Sequence, residues 1–390
     1  MKVYVTGIGI VSAIGLNGRE NFHSLQSMCT GIKRSTEYNL MLAEVKLSDK
    51  ELVEMLALPE LDYSRTTLLS LLAAKEAWGN NVHHPGISTG LISSTSVGGL
   101  DRTEKYYMES KKNPSSAMHK LMTHDNGRTT ERVAAALGIA GYIGTISTAC
   151  SSGANAIMHG ARLIEANMLH RVLVGGCDPL AHFDINGFSS LNIYDTDICK
   201  PFDENRKGLN LGEGAAFLLL ESEKSISISG NKPLCTVAGW NNATDAFHQT
   251  ASSANGYGAY LAMINALAKA KIRPDNISYI NAHGTGTGNN DLSESTAIKN
   301  VFGDHIPPFS STKGYTGHTL AAAGAIEAVF CVQAMTHQAL LPNLNFSTPM
   351  KETGMQPQIR FQPGVNIDYI LSNSFGFGGN CSTLIFSKTQ

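Results

Sequence analysis

The amino-acid sequence predicts an α/β protein with mostly buried sheets, built from two similar halves. Two observations lead to this prediction. Short apolar segments typical of strands alternate with longer helical segments along the chain, and this alternation favours sheets that are covered by helices. Each half also contains one long segment rich in glycine and alanine. Small side chains of this kind allow a helix to pack closely against a sheet or another helix.

The first half contains four predicted strands and two predicted helices. Residues Ser64–Gly79 have helical periodicity, with a serine as the start signal and a glycine as the stop signal. The small-residue segment TACSSGANAIMHGARLIEAN is long enough for a buried helix. The predicted strands are Lys2–Thr6, Gly90–Ser94, Tyr142–Ser147 and Arg171–Gly176.

A polar, turn-like stretch at Ile226–Pro233 predicts the boundary between a first half, residues 1–230, and a second half, residues 231–390. The second half repeats the order of elements, which suggests an internal duplication. Its predicted helices are Gly258–Ala270 and the small-residue segment GHTLAAAGAIEAVFCVQAM. Its predicted strands are Leu234–Gly239, Ser278–Ala282, Tyr369–Ser372 and Ser382–Ser387.

Composition excludes several classes of protein. Of the 390 residues, 42% are hydrophobic and 16% are charged, which is enough to bury a large core. The formal net charge is -2 and there is no long run of Lys and Arg, which argues against a nucleic-acid binder. No apolar stretch approaches the roughly 18 residues of a membrane span. We therefore expect a soluble, cytoplasmic protein.

Seven scattered cysteines without CxxC spacing predict neither a disulfide framework nor a zinc site. Cys150 has distinctive surroundings, because it follows a predicted strand and opens a predicted helix. A helix dipole favours a thiolate at this position, and a thiolate is the form that acts as a nucleophile. For a lone cysteine, the alternative is a buried structural role.

Two histidines strengthen the catalytic interpretation of Cys150. His283 directly follows the predicted strand Ser278–Ala282, and His318 opens the second small-residue helix. Each lies at a strand-to-helix junction comparable with that of Cys150, so we expect the three side chains to converge where the halves meet.

Six segments in order resemble the elongating, decarboxylating β-ketoacyl-acyl-carrier-protein synthases. They are VTGIGIVSAIG, TACSSG, KPFDENRKGLNLGEGAAFLLLE, AHGTGTGNND, SSTKGYTGH with AAAGAIEA, and SNSFGFGGN. The resemblance extends from Met1 to about Ser387 and implies the thiolase fold, in which duplicated βαβαβ halves form five layers, αβαβα.

The resemblance implies catalytic roles for five residues. Cys150 would accept the acyl group, and His283 and His318 would promote decarboxylation of a malonyl unit and stabilise the resulting enolate. The carbanion would then attack the Cys150 thioester in a Claisen condensation. Lys313 and Glu327 would form an ion pair that supports the histidines.

Further roles implied by the resemblance concern substrate binding. The backbone N–H groups of Cys150 and Phe377 would form the oxyanion hole. Thr285 and Thr287 would bind the phosphopantetheine arm. Gating would involve Phe375, Phe377 and Asp245, the last in a loop that faces the glycine-rich segment. For Phe377, simple core packing is the competing interpretation.

The same resemblance implies partners and cofactors. The substrates would be malonyl and acyl groups on an acyl carrier protein, which brings the phosphopantetheine, so no metal or dissociable cofactor is expected. A homodimer is expected, with a heterodimer of related subunits left open. Structural roles are implied for Asp203, Arg206, Glu213, Asp291 and Glu294.

Three departures from the family pattern affect specificity. Asn380 and Cys381 stand where Thr-Asn is usual, so gating is expected to differ and Cys381 becomes a candidate second thiol. The stretch Lys111–Arg128 lacks the usual aromatic element, which leaves chain length open and suggests specialised metabolism. A basic pair often used to dock the carrier is also missing. Candidates to replace it are Arg65, Lys111, Lys112, Lys120 and Arg128.

Other functions were compared with this one. A degradative thiolase would use a second active cysteine, and an initiating synthase would have Asn in place of His318. A non-catalytic, chain-length-factor-like partner subunit is the main alternative, although such subunits lack the nucleophile. The acyl substrate stays open among fatty acids, polyenes, aryl-primed chains and polyketides.

Overall fold

The computed structural model of the chain describes residues 1–59, 63–113 and 121–389. These residues form fourteen strands, two of which, β11 and β12, make a separate ribbon, as do β2 and β3. In chain order, β1 to β14 are Tyr4–Ser12, Lys33–Arg34, Met41–Leu42, Thr89–Ser94, Tyr142–Ile146, Arg171–Asp178, Gly214–Glu221, Cys235–Thr244, Tyr279–Asn281, Phe309–Ser310, Ala339–Leu340, Gln362–Pro363, Tyr369–Gly376 and Asn380–Ser387.

The described residues also form twelve α-helices and three short 3₁₀ turns. The second small-residue helix is preceded by the 3₁₀ turn Leu320–Ala322. In chain order, α1 to α12 are Gly18–Gln26, Asp49–Leu56, Arg65–Trp78, Leu100–Lys112, Asn126–Leu137, Ser152–Glu165, His182–Ser190, Glu223–Ser229, Tyr257–Ala270, Gly288–Phe302, Lys313–Thr316 and Ala323–Thr336.

The main sheet shows the predicted duplication. Its strand order is β10-β9-β13-β14-β8-β1-β7-β6-β4-β5. Read outward from the centre, the first half gives β1, β7, β6, β4, β5 and the second half gives β8, β14, β13, β9, β10. Both halves have two antiparallel pairings followed by two parallel ones. The halves join where Tyr4 pairs with Thr236 and Val5 with Cys235.

The two small-residue helices lie between the halves of the sheet. Helix α6 contacts β6 and β4 on one side and β14 on the other, and α12 contacts β7 and β13. On the outer faces, α3 covers β1 and β7 while α9 covers β8 and β14. These contacts confirm the five-layered αβαβα arrangement. Ser64 and Gly79 cap α3 as the sequence indicated.

Glycine allows α6 and α12 to touch. A Cβ atom on Gly153 would lie 2.6 Å from the backbone nitrogen of Ala325, and one on Gly324 would lie 2.8 Å from that of Ala154. Neither backbone can move away, because both helices are buried between the two halves of the main sheet. This close approach explains the composition of the two segments.

The variant Gly153→Ala is therefore expected to lower the free energy of unfolding by about 1–3 kcal/mol through overpacking. Urea unfolding followed by circular dichroism would measure the change. Gly187→Ala is a matched control, because a Cβ atom there meets nothing within 4 Å. Equal loss of stability in both variants would contradict this account of the helix contact.

Two predicted boundaries were wrong for identifiable reasons. The first strand does not end at its glycines but continues to Ser12. Gly7 and Gly9 lie inside it because α3 passes so close that a Cβ atom would come within 2.2 Å and 2.1 Å of helix carbonyl oxygens. The stretch predicted as turn-like from Ile226 begins inside α8, which ends at Ser229.

Within the described residues, no helix is both long and apolar enough to cross a membrane.

Candidate active site

Cys150 lies in the tight connection between β5 and α6. The preceding residue, Ala149, has a left-handed backbone with φ of 51°, a conformation that is uncommon outside glycine. Ser151 is the N-cap and the helix begins at Ser152. The prediction that Cys150 belongs to the first helical turn was therefore wrong by two residues, since the chain must first reverse direction.

Burial dominates the acidity of the Cys150 thiol. Its side chain is 6% exposed, and this burial raises the pKa of Cys150 to about 11. The Lys313 ammonium and the backbone N–H groups of Phe377 and of Cys150 itself act in the opposite direction on this pKa. The resting group is thus a thiol at neutral pH, contrary to the thiolate expected from the helix dipole alone.

Alkylation of Cys150 by iodoacetamide is expected to accelerate roughly tenfold per pH unit between pH 7 and 10, because only the thiolate reacts. Mass mapping of the modified peptide, with Cys150→Ala as the control, would measure the rate. A plateau below about pH 8 would show that the N–H groups and Lys313 outweigh burial.

His283 is held at the carboxyl end of β9 by a buried carboxylate. Glu294 on α10 accepts the backbone N–H groups of His283 and Gly284 at 2.9 and 2.8 Å. It also accepts the side-chain amide of Asn373. These bonds fix the backbone at the histidine, so Glu294 has the structural role that the resemblance implied.

His318 lies in the turn between α11 and the 3₁₀ turn, five residues before α12 begins. The expectation that it opens the helix was wrong, because this turn and the 3₁₀ residues intervene. Its backbone N–H donates to the carbonyl oxygen of Asn210 at 2.7 Å. The Nδ1 atom accepts the backbone N–H of Leu320 at 3.0 Å.

The two histidines are neutral and present the same ring nitrogen. Their ring centroids are 5.4 Å apart and the rings are nearly perpendicular. Burial, and then the charge of Lys313, hold the pKa of both imidazoles well below the ordinary value. In His283 the Nδ1 atom lies 3.2 Å from the Lys313 ammonium, a donor. Both Nδ1 atoms are thus acceptors, which leaves the proton on Nε2 in each ring.

Lys313 and Glu327 form a buried ion pair beside the histidines. Lys313 also donates to the carbonyl oxygen of His283. Burial raises the pKa of Glu327 against the pull of the Lys313 ammonium. The second oxygen of Glu327, Oε2, has no hydrogen-bond partner among the described residues. The pair anchors His283 from two directions.

A single cavity of about 220 Å³ brings the predicted chemistry together. Thr285 and Thr287 lie on its wall, and their hydroxyl oxygens are 2.9 Å apart. Thr287 also caps α10, so it has a structural task as well. The predicted residues that line the cavity are Cys150, His283, Thr285, Thr287, His318, Phe375 and Phe377.

The glycine-rich segment after β13 covers the nucleophile. A Cβ atom on Gly376 would lie 3.2 Å from the backbone nitrogen of Cys150. The ring of Phe377 stacks on Phe188 of α7, with centroids 5.7 Å apart and an interplanar angle of 17°. Phe188 was not predicted. The segment bonds to the facing loop through Gly378 and Gln249.

Asp245 does not line the cavity in the way that its predicted gating role suggests. Its carboxylate accepts hydrogen bonds from Ser253 and from the backbone N–H of Gly258, at 2.6 to 2.9 Å. Only its backbone N–H reaches the glycine-rich segment, at the carbonyl oxygen of Gly379. His248, from the same loop, lines the cavity. The gating role of Asp245 stays a prediction.

A polar network that no sequence motif indicated lies behind the nucleophile. The side-chain carbonyl oxygen of Asn380 accepts from Ser151, Asn155 and Asn242 at 2.6, 2.9 and 2.7 Å. It connects the segment that carries Phe377 with the turn that carries Cys150. The departure from the family pattern at Asn380 was the sequence feature that could have indicated this network. Its neighbour Cys381 lines the cavity, and burial raises its pKa to about 12.

The candidate docking residues differ in availability. Arg65 is engaged by Glu213 and Asp49, and its role in docking a carrier stays a prediction. Lys111 and Lys112 are exposed. Arg128 pairs with Glu131 at the surface. Lys120, with the stretch 114–120, lies outside the described residues.

Two family models match consecutive parts of the chain. The family model described as "Beta-ketoacyl synthase, N-terminal domain" matches residues 1–225, and "Beta-ketoacyl synthase, C-terminal domain" matches residues 234–347. The chain is 31% identical over 413 residues to 3-oxoacyl-[acyl-carrier-protein] synthase 2 of Staphylococcus aureus strain MRSA252, covering 100% of this chain and 99% of that protein.

Two solved structures show the same fold. The structure titled "The ishigamide ketosynthase/chain length factor" has a TM-score of 0.91 at 26% identity, covering 100% of this chain and 99% of that one. The ketosynthase ApeO, solved with its chain length factor ApeC from Xenorhabdus doucetiae, has a TM-score of 0.86 at 32% identity, with coverages of 100% and 98%.

Proposed function

The chain belongs to the β-ketoacyl synthase family, and we propose that it condenses malonyl-acyl-carrier protein with an acyl group held as a thioester on Cys150. The observation that carries this proposal is the convergence of Cys150 with two neutral Nε2–H histidines in one cavity. A nucleophile beside two neutral donors fits carbanion chemistry on a thioester.

The first half-reaction transfers the acyl group. The Cys150 sulfur attacks the thioester carbonyl carbon of the incoming acyl carrier, the bond to the pantetheine sulfur breaks, and the carrier leaves with the thiol proton. During this attack, negative charge develops on the oxygen of the thioester carbonyl. The backbone N–H groups of Cys150 and Phe377, which already act on the sulfur's pKa, are the donors available to that oxygen.

The second half-reaction forms the carbon–carbon bond. The malonyl carboxylate leaves as CO₂, and its bonding electrons pass into an enolate whose oxygen accepts from the Nε2–H groups of His283 and His318. The enolate carbon attacks the acyl carbonyl, the bond to the Cys150 sulfur breaks, and β-ketoacyl-carrier protein is released. The Cys150 thiolate takes up a proton from solvent, which replaces the proton that left with the first carrier, and the enzyme is restored.

The partners follow from the same chemistry. The phosphopantetheine arm would enter past Thr285 and Thr287, attached to its carrier, and no metal or dissociable cofactor takes part. Carrier docking would then use exposed bases such as Lys111. We expect the assembly to be a dimer, either of this chain or with a related subunit. ApeO was solved in complex with its chain length factor, which supports the second arrangement. The reaction takes place in the cytoplasm.

Intact mass spectrometry after incubation with acyl-carrier-protein thioesters would test the acylation step. Wild type is expected to gain one acyl group, and Cys150→Ala is expected to gain none. Subsequent malonyl-carrier protein should remove the acyl group as β-ketoacyl product. No acylation with any primer, alone or with a related subunit present, would refute the catalytic role and favour the non-catalytic alternative.

A further inference from the structure

Two polar side chains are buried without hydrogen-bond partners beside the cavity. Asp184 of α7 is 7% exposed, and its Oδ2 atom has no partner among the described residues. The hydroxyl of Tyr194 is also buried and unpartnered within this part of the chain. Buried polar atoms nearly always have a partner, so two such atoms in one place require an explanation.

Tyr194 belongs to an apolar cluster to which α7, the helix that carries Asp184, also contributes. Tyr194 packs on it together with Phe188 and Ile193. Asp184 directly precedes Ile185, a buried member of the same cluster. The charge of Asp184 also raises the pKa of the Tyr194 phenol, after the larger effect of burial. The buried members of the cluster are Leu42, Ile185, Leu209, Leu211 and Leu320.

The cluster lies directly behind the aromatic pair at the nucleophile. Asp184 and Phe188 are four residues apart in α7, so they share a face of that helix. Phe188 lines the cavity and stacks on Phe377. Ile193 and Leu209 line the cavity as well. Phe188, Ile193 and Leu209 belong both to the cavity wall and to the cluster. A chain that displaced the Phe188 ring would therefore pass from the cavity into the cluster.

The size of the cavity favours such a passage. Its volume of about 220 Å³ is below the roughly 300–1,000 Å³ of ordinary ligand pockets. The end of a pantetheine arm and the reacting carbons would occupy it. A longer acyl chain on Cys150 must extend elsewhere, and the apolar cluster that borders the cavity at Phe188 is the adjacent apolar region.

We propose that Asp184 and Tyr194 form a polar subsite for an oxygen function, hydroxyl or carbonyl, carried by the acyl chain some distance from its thioester carbon. This inference rests on the proposed function and specifies the substrate class. A purely hydrocarbon chain would leave both groups unpaired, whereas an oxygenated chain would give each a hydrogen bond.

The protonation state of Asp184 fits such a ligand. Burial, followed by the charges of Asp178 and Glu104, raises the pKa of Asp184 to about 8. At neutral pH the group is mainly a carboxylic acid, which can donate to a carbonyl oxygen or accept from a hydroxyl. The Tyr194 phenol can likewise both donate and accept a hydrogen bond. The subsite therefore recognises neutral oxygen groups and disfavours anionic ones.

The test compares acylation rates of Cys150 with three carrier-bound chains of equal length, one saturated, one hydroxylated and one bearing a ketone near its far end. Wild type is expected to favour at least one oxygenated chain about tenfold or more. Tyr194→Phe and Asp184→Leu should reduce that ratio to near one. Asn186→Leu, on the exposed face of the same helix, is the matched control and should keep the wild-type ratio.

Thermal unfolding separates this subsite from a structural role. Asp184→Leu removes an unpaired buried carboxyl, so its melting temperature is expected to rise by roughly a few degrees. A wild-type ratio of one, an unchanged ratio in Tyr194→Phe, or a lower melting temperature for Asp184→Leu would overturn the inference. If any of these three results were obtained while the saturated chain still acylated Cys150, the subsite would be refuted but the proposed condensing function would not. Absence of acylation by all three chains would instead contradict that function.

Discussion

Replacement of His318 by alanine is expected to slow condensation by about 10²–10³-fold while Cys150 still becomes acylated. The ring of His318 is neutral, and its Nδ1 atom is occupied by the Leu320 N–H. The Nε2–H group is therefore the donor left for the enolate oxygen. Its loss affects the step in which malonate loses CO₂ and leaves the earlier acyl transfer with its own two N–H donors.

Two separate assays would measure this effect. Intact mass reports acylation of Cys150, and release of labelled CO₂ from malonyl-carrier protein reports decarboxylation. His318→Asn retains an N–H donor and should lose less activity than His318→Ala. His159→Ala, a histidine bonded to Tyr142 outside the cavity, is the control. If His318→Ala reduced acylation and decarboxylation equally, His318 would have a structural role in the site instead of stabilising the enolate.

Replacement of Lys313 by methionine is expected to lower the free energy of unfolding by about 3–5 kcal/mol, because it leaves the Glu327 carboxylate buried without its cation. It also removes the donor to Nδ1 of His283, so decarboxylation should fall as well. The double variant Lys313→Met with Glu327→Leu should recover most of the stability. It should not recover the activity, since His283 still lacks its anchor.

The stability lost in Lys313→Met is expected to depend on pH. Without Lys313 the pKa of Glu327 rises further, so the native state binds a proton more tightly than the unfolded chain does. Stability then falls as pH rises from the ordinary glutamate pKa of about 4.3 towards the raised value. Urea unfolding should therefore show a smaller deficit for Lys313→Met at pH 5 than at pH 8. A deficit independent of pH would show that lost packing, rather than unpaired charge, is responsible.

The sequence was most informative where chemistry and local structure coincide. Cys150 and His283 each follow a strand that runs into a small-residue or glycine-rich segment, and this position alone indicated that they converge. For the main sheet, the sequence predicted that the order of strands and helices repeats in the two halves. It did not predict which strands pair. The pairing itself depends on contacts between residues more than 200 positions apart, such as Tyr4 with Thr236, which no local pattern encodes.

Other features of the site depend on tertiary contacts. The thiol of Cys150 was expected to ionise easily because of its helix, but burial reverses that tendency. The first strand was predicted to end at Thr6, but Gly7 and Gly9 continue it and allow the close approach of α3. Asp184 had no motif to mark it, and its significance arises only from burial without a partner.

The position of β14 in the sheet has a consequence for folding. This strand follows every other described strand along the chain, yet it is inserted between β13 and β8. During synthesis, β8 and β13 would exist for some time as unpaired edges, and unpaired edges invite association between chains. The second half of the sheet cannot assemble progressively from its N-terminal side. We therefore expect slow folding dominated by contacts distant in sequence, with nascent chains most prone to aggregate just before β14 is made.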